Sequence, residues 1–196
     1  MNSRTLRSLA LATLGALFVN GCGTNDNPVA PQSAVAPTAP ASTSLLGLLS
    51  PTTTVTPLQR TKPLAQPLYA SAYVGVLGGV LAIPGAGITV VVPPLALTST
   101  KRLTVTALAG STVAYEFEPH GTKFLVPLVV TQDLKSTQAS SGGLVNPLSL
   151  FVGYFPDDTN ILSVTELLNV NVNLLNQTAL FTVTHFSGYI VASGRE

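Results

Sequence analysis

The sequence His185-Phe186-Ser187 places a base and a hydroxyl nucleophile two residues apart. Side chains two apart in a β-strand share a face, so we expect the His185 imidazole to approach the Ser187 hydroxyl. A neutral imidazole could take the hydroxyl proton while the oxygen attacks the Phe186 carbonyl, after which water would hydrolyse the ester. The reaction also needs a strained peptide bond and oxyanion donors, and Gly188 could permit the strain. His185 and Ser187 are therefore candidate catalytic residues for self-cleavage after Phe186.

The same tripeptide also fits a purely structural role. His185 is in phase with Phe181 and Val183, which predicts a partly buried strand position. In that case its imidazole would bond Ser187 or the backbone and perform no chemistry. The residue pattern alone allows both interpretations.

Other polar groups give weaker functional indications. Asp157-Asp158-Thr159-Asn160 offers oxygen ligands to Ca²⁺ but lacks the spacing of an EF-hand loop, and such clusters ordinarily form turns. His120 has no Cys or His nearby and is predicted to lie in a loop. Glu116 and Glu118 lie on the same strand face. A solvent-exposed face explains these two carboxylates better than a catalytic pair of general acid and general base does. The sequence contains no phosphate loop, nucleophile elbow or zinc motif, so we predict no cofactor and no metal.

Composition favours β-structure and excludes one class of partner. Hydrophobic residues make up 46% of the chain and charged residues only 9%, with a net charge of +1. No block of Lys and Arg interleaved with aromatics is present, so nucleic-acid binding is not predicted.

The N-terminus has the parts of an export signal. Arg4 and Arg7 precede an apolar run, 9–19, which is followed by small residues. The sequence Val19-Asn20-Gly21-Cys22 resembles the lipobox of bacterial lipoproteins, although Asn20 departs from the usual small or aliphatic residue. The resemblance implies a signal peptide over 1–21 and a lipid on Cys22, the chain's only cysteine. In such lipoproteins a residue other than Asp after the cysteine favours the outer membrane, and here that residue is Gly23.

A tether is predicted between this anchor and the domain. Eight of the fifteen prolines fall between Pro28 and Pro67, among many Ala, Thr and Ser residues. Such a composition cannot bury enough apolar surface to offset the entropy of ordering it. We therefore predict a disordered linker over 22–67.

The domain over 68–196 is predicted to be an all-β antiparallel sandwich. Short runs of alternating apolar residues are separated by Gly, Pro, Asn or Asp, and no helical periodicity of useful length appears. Alternation of apolar and polar residues over 113–118 and 170–174 predicts one solvent-exposed and one buried face for each strand. Strands are expected near 69–76, 79–83, 87–92, 103–108, 112–118, 124–131, 148–155, 161–164, 169–175, 178–185 and 187–192.

Segment 78–97 contains the pair Gly78-Gly79, an Ile83-Pro84 turn and a Val92-Pro93-Pro94 corner. Their order resembles the opening of the ZU-five domain, a β-sandwich of zonula-occludens, ankyrin and netrin-receptor proteins, which usually has glycine where this chain has Leu95. Segments 117–124 and 126–130 continue the resemblance. The segment 180–192 resembles the end of modules that complete such domains in bacterial surface proteins. In some metazoan ZU-five proteins a His-Phe-Ser sequence is a self-cleavage site, although tryptophan commonly follows it and here Gly188 does.

The leading prediction is a non-enzymatic lipoprotein of the bacterial envelope, held to the membrane through Cys22. Its sandwich would have a structural role or bind an envelope protein or glycan. The rival prediction is an autoproteolytic module that uses His185 and Ser187. A dedicated carbohydrate-binding module is disfavoured by the absence of tryptophan and an aromatic content of 6%.

Overall fold

The architecture is described from a computed structural model that covers residues 52–156 and 158–195. Cys22, the predicted signal peptide and most of the predicted tether lie outside the described residues, as does Asp157. The strands are β1 (Thr53–Pro57), β2 (Gln59–Leu64), β3 (Leu68–Val74), β4 (Gly79–Ile83), β5 (Ile88–Val92), β6 (Lys101–Ala107), β7 (Gly110–Thr112), β8 (Ala114–Glu118), β9 (Lys123–Asp133), β10 (Phe151–Phe155), β11 (Ser163–Val164), β12 (Glu166–Asn169), β13 (Asn171–Asn173), β14 (Thr178–His185) and β15 (Gly188–Arg195).

The secondary structure confirms the predicted fold class. Every strand pair is antiparallel, and the part of the chain that the structure describes contains no α-helix. Three short 3-10 turns, Pro84–Ala86, Pro147–Ser149 and Asp158–Asn160, connect strands. Because every paired strand alternates its side chains between two faces, the sheets can bury one apolar face each.

Two main sheets form the sandwich. The larger contains eight strands. One edge of β15 pairs with β10, which pairs in turn with β12, and the other edge of β15 pairs with both β1 and β8. Strand β1 also pairs with β11, and β8 is followed by β6 and then β3. The smaller contains five strands in the order β13-β14-β9-β5-β4, and β2 and β7 form a separate ribbon. The main core lies between the sheets and includes Val90 and Val130 from the smaller and Val105 and Phe117 from the larger, all at most 1% exposed.

The larger sheet also has a second apolar cluster on its outer face. Val55, Ala114, Phe155, Val164, Ile190 and Ala192 form this cluster, and each is at most 2% exposed. The prediction of one solvent-exposed face over 113–118 is therefore wrong at Ala114. The reason is that the chain around β1 and β11 covers this part of the sheet. As a result, both faces of β15 are buried from Gly188 to Ala192.

The domain begins before the predicted boundary at Leu68. Strands β1 and β2 lie in the segment assigned to the tether, and Val55 and Leu58 are fully buried there. Threonine favours strands, and proline is tolerated at strand irregularities such as the register shift between Thr56 and Pro57. A Pro- and Thr-rich composition therefore does not distinguish a linker from an edge of this sheet.

The predicted strand 169–175 overlaps the last residue of β12 and the whole of β13, which lie in different sheets. β12 pairs with β10 in the larger sheet, whereas β13 pairs with β14 in the smaller one. The chain crosses between the sheets at Val170. Since crossing depends on partners far away in the sequence, local alternation does not reveal it.

The Val92-Pro93-Pro94 corner is followed by a residue in an unusual conformation. Leu95 has φ +65°, in the left-handed region that favours glycine. Its N–H donates to the Val76 carbonyl at 2.8 Å, which holds the corner closed.

Candidate functional site

Phe186 and Ser187 form the corner at which the chain leaves the smaller sheet, at the end of β14, and enters the larger one at β15. Phe186 is fully buried, and its ring lies 4.8 Å from the Phe124 ring and 5.3 Å from the Phe117 ring, centroid to centroid. The Phe186 N–H donates to the Thr122 carbonyl at 2.9 Å. The corner is therefore anchored by aromatic packing and by backbone hydrogen bonds.

The carbonyl of Phe186, which the predicted cleavage would attack, already has one donor. The Gly121 N–H donates to it at 2.9 Å. A backbone N–H in this position is the kind of group that stabilises a developing oxyanion. On the other side of the bond, the Ser187 carbonyl accepts from the Phe117 N–H at 3.0 Å.

His185 and Ser187 are not brought together as the spacing predicted. His185 ends β14 and Ser187 lies outside any strand, so the rule that residues two apart share a face does not apply. Both residues lie in the described part of the chain, and no hydrogen bond joins their side chains there. The expected pairing of base and nucleophile is thus wrong for this structure, while cleavage itself stays a prediction.

His185 belongs instead to a polar and aromatic cluster with Glu166, Tyr154 and Tyr189. Its Nε2 lies 3.7 Å from Glu166 Oε2, an ion pair when the imidazole is protonated. The Tyr189 hydroxyl lies 3.4 Å from His185 Nδ1 and donates to the His185 carbonyl at 2.8 Å. The Tyr154 ring meets the imidazole edge-on at 5.1 Å between centroids.

Electrostatics keep Tyr189 neutral in this cluster. Burial raises the pKa of Tyr189 well above its usual range, and the nearby charge of Glu166 raises it further. A neutral phenol remains a hydrogen-bond donor at ordinary pH. The cluster therefore fixes the end of β14 against β15.

Glu116, His120 and Asp158 come together although no sequence pattern groups them. With Phe155 and Gly188 they line a depression of about 310 Å³. Burial raises the pKa of the Glu116 carboxyl, and the charge of Asp158 raises it further. Asp158 begins the 3-10 turn that ends at Asn160, in agreement with the prediction that this Asp- and Asn-rich cluster forms a turn. Within residues 52–156 and 158–195, no group of three or more His, Cys, Asp and Glu could hold a metal ion.

Sequence reasoning missed an exposed face on the larger sheet. Tyr69 and Tyr73 of β3 are 73% and 78% exposed, and β3 is the last strand at its edge. The signal was present, since Ala70, Ala72 and Val74 alternate with the two tyrosines. We call this surface the tyrosine face and define it by Tyr69, Ser71, Tyr73, Arg102, Thr104, Thr106 and Glu118.

Polar side chains of the tyrosine face are held in place by one another. The Arg102 Nε donates to Ser71 Oγ at 2.9 Å, and Ser71 Oγ lies 3.0 Å from Thr104 Oγ1. Thr104 is paired with Glu118 in the neighbouring strand. A shallow groove of about 610 Å³ runs beside Tyr69 toward Glu118.

Comparison with known protein families and curated proteins assigns no class to this chain. No protein-family model matches the chain, and no curated protein matches it. Among the residues that the structure describes, no helix is long and apolar enough to cross a membrane.

Proposed function

We propose that this chain is a lipid-anchored protein of the bacterial envelope whose sandwich binds a partner protein or glycan through the tyrosine face. The observation that supports the binding role is the pair of exposed tyrosines, Tyr69 and Tyr73. The anchor rests on the lipobox resemblance at Cys22, and Gly23 favours the outer membrane because it is a residue other than Asp after the cysteine.

Two exposed tyrosines on one edge strand suit a binding surface. Their rings are large and amphipathic, and tyrosine is among the residues that most often dominate binding energy. Tyr69 and Tyr73 are four residues apart on one face, which separates them by about 13 Å. A partner that contacts both must therefore be extended.

A glycan fits this surface better than a polyanion does. The rings of tyrosines can stack on sugar rings. The hydroxyls of Thr104 and Thr106 can form hydrogen bonds with sugar hydroxyls, and so can the charged groups of Arg102 and Glu118. The charges of Arg102 and Glu118 have opposite signs, so the face offers no field that would attract phosphate chains. Although the chain lacks tryptophan, two of its five tyrosines stand together here.

Replacing Tyr69 or Tyr73 with alanine is expected to weaken partner binding about tenfold, and replacing both about a hundredfold. Binding is measured by co-sedimentation of the detergent-purified full chain with isolated envelope polysaccharide, and by pull-down from envelope protein extract. Leu175→Ala is the matched control, because Leu175 is 95% exposed on the turn between β13 and β14. Equal retention of the double variant and the control in both assays would exclude the tyrosine face.

Replacing Cys22 with serine is expected to abolish membrane association. Without the thiol no lipid can be attached at this position. The measurement is fractionation of cells with and without globomycin, which blocks cleavage of lipidated precursors. Normal processing and continued membrane association of Cys22→Ser would contradict the anchor.

Self-cleavage between Phe186 and Ser187 is the second candidate, and the Gly121 N–H on the Phe186 carbonyl is the observation that favours it. Cleavage would leave a short fragment from Ser187 onward that strand pairing of β15 would retain.

Denaturing mass spectrometry of the purified chain, before and after incubation, tests this second candidate. The expected result is a fragment that begins at Ser187 and is absent in Ser187→Ala. The conservative variant Ser187→Thr should retain some cleavage, since its hydroxyl can still attack. A chain that stays whole on incubation would remove the autoproteolytic function.

A further inference from the structure

Arg60 is a buried cation whose hydrogen bonds are incomplete. It lies on β2 and is 7% exposed. Its Nη1 donates to the Thr112 carbonyl, and its guanidinium carbon lies 5.7 Å from the centroid of the Tyr115 ring. Its Nε and Nη2 are buried and have no hydrogen-bond partner. Such orphaned donors normally cost free energy, so they require an explanation.

No carboxylate balances this charge in the described part of the chain, where the ion pairs are Lys135 with Asp133 and His185 with Glu166. A guanidinium keeps its charge in proteins, so burying one calls for a partner. Tyr115 cannot supply a negative charge either, since burial raises its pKa to about 12. An anion from outside the chain would supply the missing counter-charge.

A cavity of about 400 Å³ lies beside Arg60. Lys62, Gln132, Ser136 and Thr137 contribute to its wall, together with the backbone of the turn 84–87. Lys62 adds a second positive charge, and Ser136 and Thr137 carry hydroxyls. The volume suits a small molecule rather than a folded partner.

The unpartnered atoms define the shape of the ligand. Nε–H and Nη2–H lie on the same edge of a guanidinium and form a planar fork, which matches the two oxygens of a carboxylate. Asp133 also lines the cavity, so a singly charged carboxylate is favoured over a doubly charged phosphate.

We propose that this cavity binds a small carboxylate, held in a bidentate pair by Nε and Nη2 of Arg60. The site is separate from the tyrosine face and does not depend on it. Both nitrogens are closed to solvent in the structure, so a ligand reaches them only when Arg60 or its neighbours move. Binding is therefore slower than a diffusion-limited encounter.

The test is titration of the full chain with sodium acetate and sodium succinate, followed by NMR of the arginine Nε–H signals. We expect a saturable shift of the Arg60 signal with either carboxylate, and a much weaker response to sodium chloride or sodium phosphate at equal ionic strength. Arg60→Lys keeps the charge but lacks the fork, and its affinity should fall at least tenfold. Arg195→Lys, at an exposed arginine, is the matched control and should bind normally.

Thermal unfolding gives a second, independent readout. Carboxylate should raise the Tm of the unsubstituted chain and of Arg195→Lys, but not that of Arg60→Met. Without carboxylate, Arg60→Met should be at least as stable as the unsubstituted chain, because it removes an uncompensated buried charge. The proposal is overturned if the Arg60 signal does not saturate, if chloride or phosphate shifts it equally, or if Arg60→Lys binds as well as the unsubstituted chain.

Discussion

Replacing Gly188 with alanine is expected to destabilise the domain by about 3 kcal/mol, at the upper end of the cost of overpacking a core. A Cβ on Gly188 would overlap three carbons of the Phe155 ring. That ring is 2% exposed and packed into the outer cluster with Val164 and Ile190, so it has little room to move. Since domains are stable by about 5–15 kcal/mol in total, this single methyl group removes much of the margin.

Gly188 is required for space and not for an unusual backbone angle. The glycines with positive φ in the described residues are Gly78, Gly87, Gly110, Gly121 and Gly142, and Gly188 is not among them. Glycine at position 188 is therefore explained by the space it leaves, and not by the distortion of the Phe186–Ser187 bond that the sequence suggested. Phe155 occupies the place where a side chain would be.

Urea unfolding of Gly188→Ala measures this cost, with Gly194→Ala as the control in the same strand. A Cβ on Gly194 would approach Thr56 Oγ1 at 3.2 Å, a tight contact that a small shift of the threonine relieves, so the control should lose well under half as much free energy. The double variant Gly188→Ala/Phe155→Leu should recover part of the loss, because a leucine can move aside. A loss below about 1 kcal/mol for Gly188→Ala would contradict the packing described here.

Replacing Phe186 with alanine is expected to cost about 3–5 kcal/mol of unfolding free energy. Its side chain is fully buried at the corner between the sheets and makes tilted or edge-on contacts with Phe117 and Phe124. Removing the ring leaves a cavity and also breaks the two aromatic pairs, each of which contributes beyond its buried area. Because the backbone of β14 and β15 is fixed by pairing, the corner cannot collapse to fill the space.

Phe151→Ala is the control for this variant, since Phe151 is only half-buried, under Arg195. It should cost clearly less in the same urea unfolding experiment. If the two variants lose equal stability, the aromatic packing at the corner is not what holds the sheets together there.

Local alternation was enough to predict most of the strands. The predicted strands 79–83 and 178–185 coincide with β4 and β14, where apolar side chains alternate toward the core. It failed where burial depends on distant partners. Thr53 to Leu64 resembles a linker in composition, but Val55 and Leu58 are buried because β15 and its neighbours provide a surface for them.

The candidate site was predictable only in part. The half-buried strand position of His185 follows from its phase with Phe181 and Val183. Its contacts with Glu166 and Tyr189 do not, because β12 and β15 reach it through tertiary structure. Arg60 is the extreme case, since a charged residue in a proline-rich segment gives no local indication that it is buried.

The position of β15 has a consequence for how this domain is made. It pairs with β10 on one side and with β8 and β1 on the other, yet β1 begins at Thr53 and β15 reaches Arg195. The larger sheet therefore cannot close until its late central strand has emerged, and contacts so distant in sequence slow folding. A chain that stays open while it is synthesised can still be threaded through an export channel, which is what the proposed location of this protein demands.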